Sequence, residues 1–171
     1  NWAASTLTTG FTNPRGIGTY VSNQQPTGLG LRTQRYCTNF AVNNRVYATT
    51  ISTSSHTRGE IWCATLWDMT WNIINQVGTI NPNLFNPAGG GGNAIALKLV
   101  TEGLKLQPCS PGFISAKNAI LQADQLLYGG LYNCAIREAF RRRGMGPLAS
   151  QGSSNSVTDQ VTDFSSSVIS K

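Results

Sequence analysis

A tryptophan-rich stretch is the feature that most constrains the fold of this 171-residue chain, since three of its four tryptophans fall within ten residues of each other. The stretch runs from Thr57 to Trp71 and directly follows the only histidine, His56. Thr57 and Glu60 have the spacing of a capping box, which satisfies free backbone amides at a helix start. Apolar side chains occupy more than one face of the predicted helix, which is typical of a buried helix. We therefore predict a core helix over 58–77, with the one side chain that titrates near neutrality at its start.

Three more helices are predicted from apolar periodicity and from glycine and proline at their ends. The second helix is predicted over 93–106, the third over 111–128 and the fourth over 131–143. The third has two candidate caps, Ser110 and Ser115, between which the sequence does not decide. The glycine run 89–92 predicts a flexible connection before the second helix.

Charge is sparse and mostly dispersed, although the formal net charge is +6. The only basic cluster, residues 141–143, falls at a predicted helix C-terminus, where cations complement the helix dipole. We therefore interpret it as a solvated helix end and expect no nucleic-acid partner. No apolar run approaches 18 residues, so no membrane-spanning helix is predicted.

The carboxylates on the predicted helices are isolated from one another, and none of the standard metal-ligand spacings occurs. We predict that they are structural, with Glu138 paired to Arg141 or Arg142 at helical spacing. The carboxylates in question are Glu60, Asp68, Glu102, Asp124 and Glu138.

Four cysteines allow three pairings, and the sequence alone does not select one. Cys109 and Cys134 fall at loop-like or helix-start positions. Cys63 lies inside the tryptophan helix, where a buried thiol behaves as a small hydrophobic group. Cys37 and Cys63 are either free thiols or bonded to each other, and both alternatives stay open.

Several motifs, in order along the chain, resemble those of one protein family. They are the tryptophan stretch 57–71, the segments 91–109 and 111–125, and the segment 139–146, which reads Ala-Phe-Arg-Arg-Arg-Gly-Met-Gly. Over roughly residues 14–164 the chain resembles the C-terminal half of the catalytic domain of fungalysin-type zinc metalloendopeptidases. The resemblance implies a mainly α fold, the helical C-terminal lobe of a thermolysin-like metalloprotease, with a loop-rich N-terminal third. It places that partial domain at 1–148 and a serine-rich tail at 149–171.

The chain departs from the family pattern at the zinc site, because a single histidine cannot supply the family's His-Glu-x-x-His motif. Asn1 and Trp2 resemble the last two residues of the motif that carries the family's third zinc ligand. The resemblance thus implies zinc ligands upstream of Asn1, in the N-terminal half of the protease domain, which would be this chain's partner. We expect the chain alone to bind no zinc and to be inactive.

The resemblance also implies roles for individual residues. His56 matches the histidine that hydrogen-bonds the oxyanion in thermolysin-like sites, and it should therefore converge with Asn1. Arg32 and Arg35 both lie in the interval that supplies an arginine to the substrate carbonyl, and Arg35 fits the family segment better. Cys109 and Cys134 match the family's cysteine pair and are expected to be bonded.

The function implied by the resemblance is zinc-dependent hydrolysis of peptide or protein substrates outside the cell. This chain would form one wall of the active-site cleft without carrying the zinc-binding motif. The competing class is a non-catalytic structural or binding module derived from such a protease.

Overall fold

The structure is a computed structural model, and it describes residues 13–47, 54–86 and 89–166. Within those ranges β pairing is limited to isolated bridges, so the predicted mainly α class is confirmed. The loop-rich N-terminal third is also found, because no helix occurs in 13–47. The segment that contains Asn1 and Trp2 lies outside the described residues.

All four predicted helices are present, with ends displaced by a few residues from the predicted ones. None of these four helices has the combination of length and apolar character that a bilayer crossing requires. In chain order the helices are α1 (Ser55–Val77), α2 (Gly92–Leu106), α3 (Phe113–Tyr128) and α4 (Asn133–Arg142).

The core lies between the helices, where α1 packs against α2 and α4, and α2 packs against α3. Fully buried side chains from all four helices meet there, including Met69, Leu99, Ile120 and Phe140. Each such side chain stabilises the fold by about 1.5–3 kcal/mol through burial. Trp62 lies at the edge of this core, with its ring 5.4 Å from Phe113 and 5.6 Å from Phe140 between centroids.

The start of α1 does not form the predicted capping box. The helix begins at Ser55, and its N-cap residue Ser54 makes no side-chain cap hydrogen bond. Glu60 does not reach back to the helix start; its carboxylate accepts hydrogen bonds from Thr33 in the N-terminal loops. Glu60 thus bonds to Thr33, which is distant in sequence, and not to the backbone at the helix start. At the other end the prediction is confirmed, since Gly78 ends α1 with a left-handed backbone, φ 79°.

The last residue of the glycine run 89–92 belongs to a helix, whereas 89–91 are part of the predicted connection. Gly92 is the first residue of α2 and packs directly on the backbone of α1 at Ile74. Two hydrogen bonds between Asn81 and Asn93 join the two ends of this connection. The backbone amide of Asn81 donates to Asn93 Oδ1 (2.8 Å), and Asn93 Nδ2 donates to the backbone carbonyl of Asn81 (2.9 Å). Gly92 is therefore needed for the close approach of α1 and α2.

The start of α3 is capped by neither of the two predicted serines. Its N-cap is Gly112, and Ser115 Oγ donates to the Gly112 carbonyl. The amide of Ser115 is satisfied by Gln151 Oε1 at 2.8 Å, from the serine-rich tail. The tail thus returns to the helices, where Asp163 also pairs with Met145 after α4, while a second bridge joins Ser150 to Val161 within the tail.

The basic cluster 141–143 is not one solvated helix end, because its three arginines have different environments. Arg141 pairs with Glu138 at the surface (2.7 Å), which confirms one of the two predicted pairings. Arg143 is fully buried and binds Asp68 of α1 with both Nε (2.8 Å) and Nη2 (3.1 Å). Arg142 lies between these extremes, with Nη1 3.7 Å from the same Asp68 carboxylate.

Candidate functional site

The candidate site lies at the first two turns of α1, where His56 is the second residue of the helix. Its side chain is exposed, so it is accessible to a bound molecule. Side chains at i and i+4 share one face of a helix, which places Glu60 one turn further along on the same face as His56. In contrast to His56, Glu60 is only 4% exposed.

The buried carboxylate of Glu60 joins α1 to the loop segment 33–45. It accepts hydrogen bonds from the Thr33 amide (2.9 Å) and the Thr33 hydroxyl (2.6 Å). Arg45 Nε lies 3.3 Å from Glu60 Oε2, an ion pair without hydrogen-bond geometry, while Arg45 Nη2 donates to the Thr33 hydroxyl. Hydrogen bonds to an ionised group contribute about 1.5–3 kcal/mol each. The sequence pattern missed this role, although a carboxylate on an otherwise apolar helix was a signal for a buried partner.

Arg35 lies in the same segment, two residues after Thr33. Its Nη1 donates to the Thr27 carbonyl at 3.0 Å, and its own carbonyl accepts a hydrogen bond from Asn43 Nδ2 at 3.0 Å. The next residue, Tyr36, pairs with Arg15 in an antiparallel bridge, with hydrogen bonds of 2.9 and 2.8 Å. The backbone that carries Arg35 is therefore held on both sides.

Tyr36 also attaches this segment to α1, one turn beyond Glu60. Its ring stacks on Trp67 at 6.2 Å between centroids, and its hydroxyl lies beside Cys63. Burial raises the pKa of Tyr36 well above its usual value, with a further contribution from Cys63. The segment consequently runs along α1 from Thr33 at Glu60 to Tyr36 at Trp67. The segment that carries Arg35 thus reaches α1 at Glu60, one turn after His56, and from there leads towards the middle of the helix.

A cavity of about 310 Å³ opens beside this end of α1. Arg58 and Ile61 contribute its α1 wall, and Phe113 at the start of α3 faces them. The serine-rich tail closes another side with residues 153–157. Burial raises the pKa of Tyr47, another lining residue, to about 12, so its hydroxyl remains protonated at neutral pH.

The described residues do not fit a zinc site. In 13–47, 54–86 and 89–166, no three His, Cys, Asp or Glu side chains are grouped so that they could hold a metal ion. Catalytic zinc is generally held by three such protein ligands. No catalytic step at a metal can therefore be assigned to these residues.

All four cysteines are thiols in the structure. Cys37 is buried and the other three are exposed. Cys134 lies in the first turn of α4 and lines a second cavity of about 510 Å³, whereas Cys109 lies in the connection after α2. The pairing of Cys109 with Cys134 stays a prediction.

Comparison with known proteins identifies the family. The profile of the fungalysin metallopeptidase (M36) family matches residues 1–149. Extracellular metalloproteinase 4 of Arthroderma gypseum is 38% identical over 136 residues, which are 76% of this chain and 21% of that protein. Extracellular metalloproteinase 4 of Trichophyton tonsurans is 37% identical over 150 residues, 84% of this chain and 22% of that protein.

A third relative, the extracellular metalloproteinase of Pyrenophora tritici-repentis, is 38% identical over 138 residues, 78% of this chain and 21% of that protein. The chain spans about a fifth of the length of the curated relatives it matches. The family match covers most of the chain, including all four helices. The chain therefore belongs to the fungalysin metallopeptidase family.

Proposed function

We propose that the full-length protein is an extracellular zinc-dependent endopeptidase and that this chain forms one wall of its substrate cleft. The observation that carries the proposal is the position of His56, exposed in the first turn of α1 and one turn before Glu60, where the Arg35 segment contacts that helix. Membership of a metallopeptidase family supplies the reaction class. The relatives are named extracellular metalloproteinases, which supports the same location for this protein.

His56 would act on the scissile carbonyl of a peptide substrate. A ring N–H of His56 would donate to the carbonyl oxygen, which becomes negatively charged when the carbonyl carbon is attacked. A donor held where charge develops stabilises the transition state more than the ground state. Loss of one such donor typically lowers kcat by about 10²–10³-fold.

Arg35 would orient the substrate next to His56. The planar guanidinium carries several N–H donors, one of which binds the Thr27 carbonyl in the structure. The remaining donors suit a second carbonyl, that of the substrate beside the scissile bond.

Zinc would be held by residues outside this chain, in the N-terminal half of the protease domain. When bound, it would supply a Lewis acid and an activated water. We also propose that the lobe occupies 1–148, with the serine-rich tail at 149–171, and that Cys109 and Cys134 are bonded in the secreted protein.

The proposal is tested by assaying the full-length protein with an internally quenched peptide. We expect hydrolysis that a chelator abolishes and added zinc restores. Residues 1–171 expressed alone should show no hydrolysis and no stoichiometric zinc after dialysis. A full-length protein that binds peptide but never cleaves it would instead indicate a non-catalytic binding module.

A further inference from the structure

Glu60 lies one helical turn after His56. Its buried carboxylate contacts Thr33 and Arg45, which both belong to the segment that carries Arg35. Thr33 donates two hydrogen bonds to Glu60, at 2.9 and 2.6 Å, and Arg45 Nε lies 3.3 Å away. From this arrangement we infer that Glu60 is a positioning residue that sets the distance between Arg35 and His56. The inference rests on the proposed function, because it assigns roles to the same two side chains.

The geometry limits how far apart the two groups can be. One helical turn separates the Cβ atoms of His56 and Glu60 by about 5–6 Å. Thr33 is hydrogen-bonded to Glu60, and Arg35 follows two residues later, a backbone reach of at most about 7 Å. The backbone of Arg35 is therefore kept within about 7 Å of Thr33, on the side that leads towards Trp67, for as long as Thr33 stays bonded to Glu60.

The hydrogen bonds between Thr33 and Glu60 fix the position of the segment along α1. The two carboxylate oxygens receive different donors, since Oε1 accepts from the Thr33 backbone amide and Oε2 from its hydroxyl. The Thr33 hydroxyl in turn accepts from Arg45 Nη2, so its own proton is directed at Glu60. Bonds to the backbone amide fix the main chain itself, and that main chain leads directly to Arg35.

Removal of the Glu60 carboxylate should therefore lower the catalytic rate, although Glu60 would act through Arg35 and not on the substrate itself. Without Glu60, the Thr33 amide and hydroxyl lose their acceptor, Arg45 loses its ion-pair partner, and the segment can shift along α1. A displacement of about 1 Å in a substrate-positioning group can lower the rate by about 10²-fold. A merely structural contact would lower the melting temperature and leave the kinetics of the folded enzyme unchanged.

The test compares Glu60→Ala with Glu60→Gln in the full-length protein, at a temperature where both variants are folded. Alanine should lower kcat by about tenfold or more, with bound zinc unchanged and KM changed less than kcat. Glutamine keeps an oxygen for the Thr33 amide and should retain most of the wild-type kcat. The control is Glu138→Ala, which removes a surface pair with Arg141 and should leave both kinetic constants within twofold of wild type.

A double variant tests the connection to Arg35. If Glu60 acts by positioning Arg35, Glu60→Ala should have little further effect in an Arg35→Ala protein, because residues that act as a unit are non-additive. A full tenfold loss in that background, or a Glu60→Ala single variant within twofold of wild-type kcat, would overturn the inference. The variant His56→Ala distinguishes a failure of this inference from a failure of the proposed function. If His56→Ala lowers kcat and Glu60→Ala does not, only the positioning role is wrong.

Discussion

Arg143 and Asp68 lie 75 positions apart in sequence and form a doubly hydrogen-bonded ion pair in the centre of the fold, at 2.8 and 3.1 Å. Both side chains are fully buried. Burial raises the pKa of the Asp68 carboxyl, while the guanidiniums of Arg143 and Arg142 oppose that rise. Arg143 also donates to backbone carbonyls of the N-terminal loops, including those of Asn43 and Arg45. The pair thus connects α1, the end of α4 and the segment that contains Arg35.

Arg143→Met should destabilise the full-length protein by about 3–5 kcal/mol, because it removes both hydrogen bonds of a buried carboxylate and leaves only Arg142, 3.7 Å away, as its counter-charge. The control is Arg141→Met, whose pair with Glu138 is at the surface and should be worth about 1 kcal/mol or less. Urea unfolding followed by tryptophan fluorescence measures both, since three tryptophans lie on α1. Equal losses in the two variants would mean that the buried pair has no special role.

The glycine run provides a matched pair of substitutions two positions apart. A Cβ on Gly92 would lie 2.4 Å from the Cα of Ile74, a backbone atom that cannot move aside, whereas one on Gly90 would meet nothing within 4 Å. Gly92→Ala should therefore destabilise by about 1–3 kcal/mol or more. Gly90→Ala should be neutral or stabilise by up to about 1 kcal/mol. Equal melting temperatures for the two variants would support the flexible connection that the sequence predicted.

Asp124 should make stability depend on pH. It is fully buried, with Oδ1 accepting from the Tyr132 amide (3.2 Å) and no partner for Oδ2 in the described part of the chain. Burial raises the pKa of its carboxyl in the folded state. In the unfolded chain the Asp124 carboxyl has an ordinary pKa of ~3.9 and ionises more readily. The stability of the fold therefore falls as pH rises through the folded-state pKa.

Asp124→Asn keeps an oxygen for the Tyr132 amide and cannot ionise. Its melting temperature should rise relative to wild type as the pH is raised from acid to neutral. Thermal unfolding of both proteins across that range measures the difference. A difference that does not change with pH would show that Asp124 ionises equally in the folded and unfolded states.

Cys109 and Cys134 should be bonded in protein secreted without reductant. A bond between them would close a loop of about 25 residues and stabilise by about 3 kcal/mol in the chain-entropy model. Peptide mapping without reduction should recover the linked pair. Recovery of both as free thiols would count against the bond and against an oxidising compartment.

Local patterns predicted the helices well, and long-range contacts explain what they missed. Gly78 ends α1 as expected, because the left-handed backbone that ends the helix depends only on the residue at that position and its immediate neighbours. The pair Thr57 and Glu60 met the local rule for a cap, yet Glu60 found a better partner in Thr33, which is 27 positions earlier. Arg143 looked like a helix-end cation, and only the fold brings Asp68 to it.

The candidate site shows the same limits. The sequence named His56 and Arg35 through family resemblance, not through spacing, since no local rule relates residues 21 positions apart. The segment that carries Arg35 is joined to the helix of His56 by the contact between Thr33 and Glu60, which the local sequence around neither residue reveals.

The central claim, that this chain supplies His56 to the reaction, is tested most directly by the kinetics of His56→Ala in the full-length protein. We expect kcat to fall by about 10²-fold or more with zinc content unchanged, because one donor to the oxyanion is lost. The control is Ser55→Ala, at the adjacent exposed position of the same helix turn, which should retain wild-type kcat. Full activity in His56→Ala, or a fall matched by Ser55→Ala, would contradict the account.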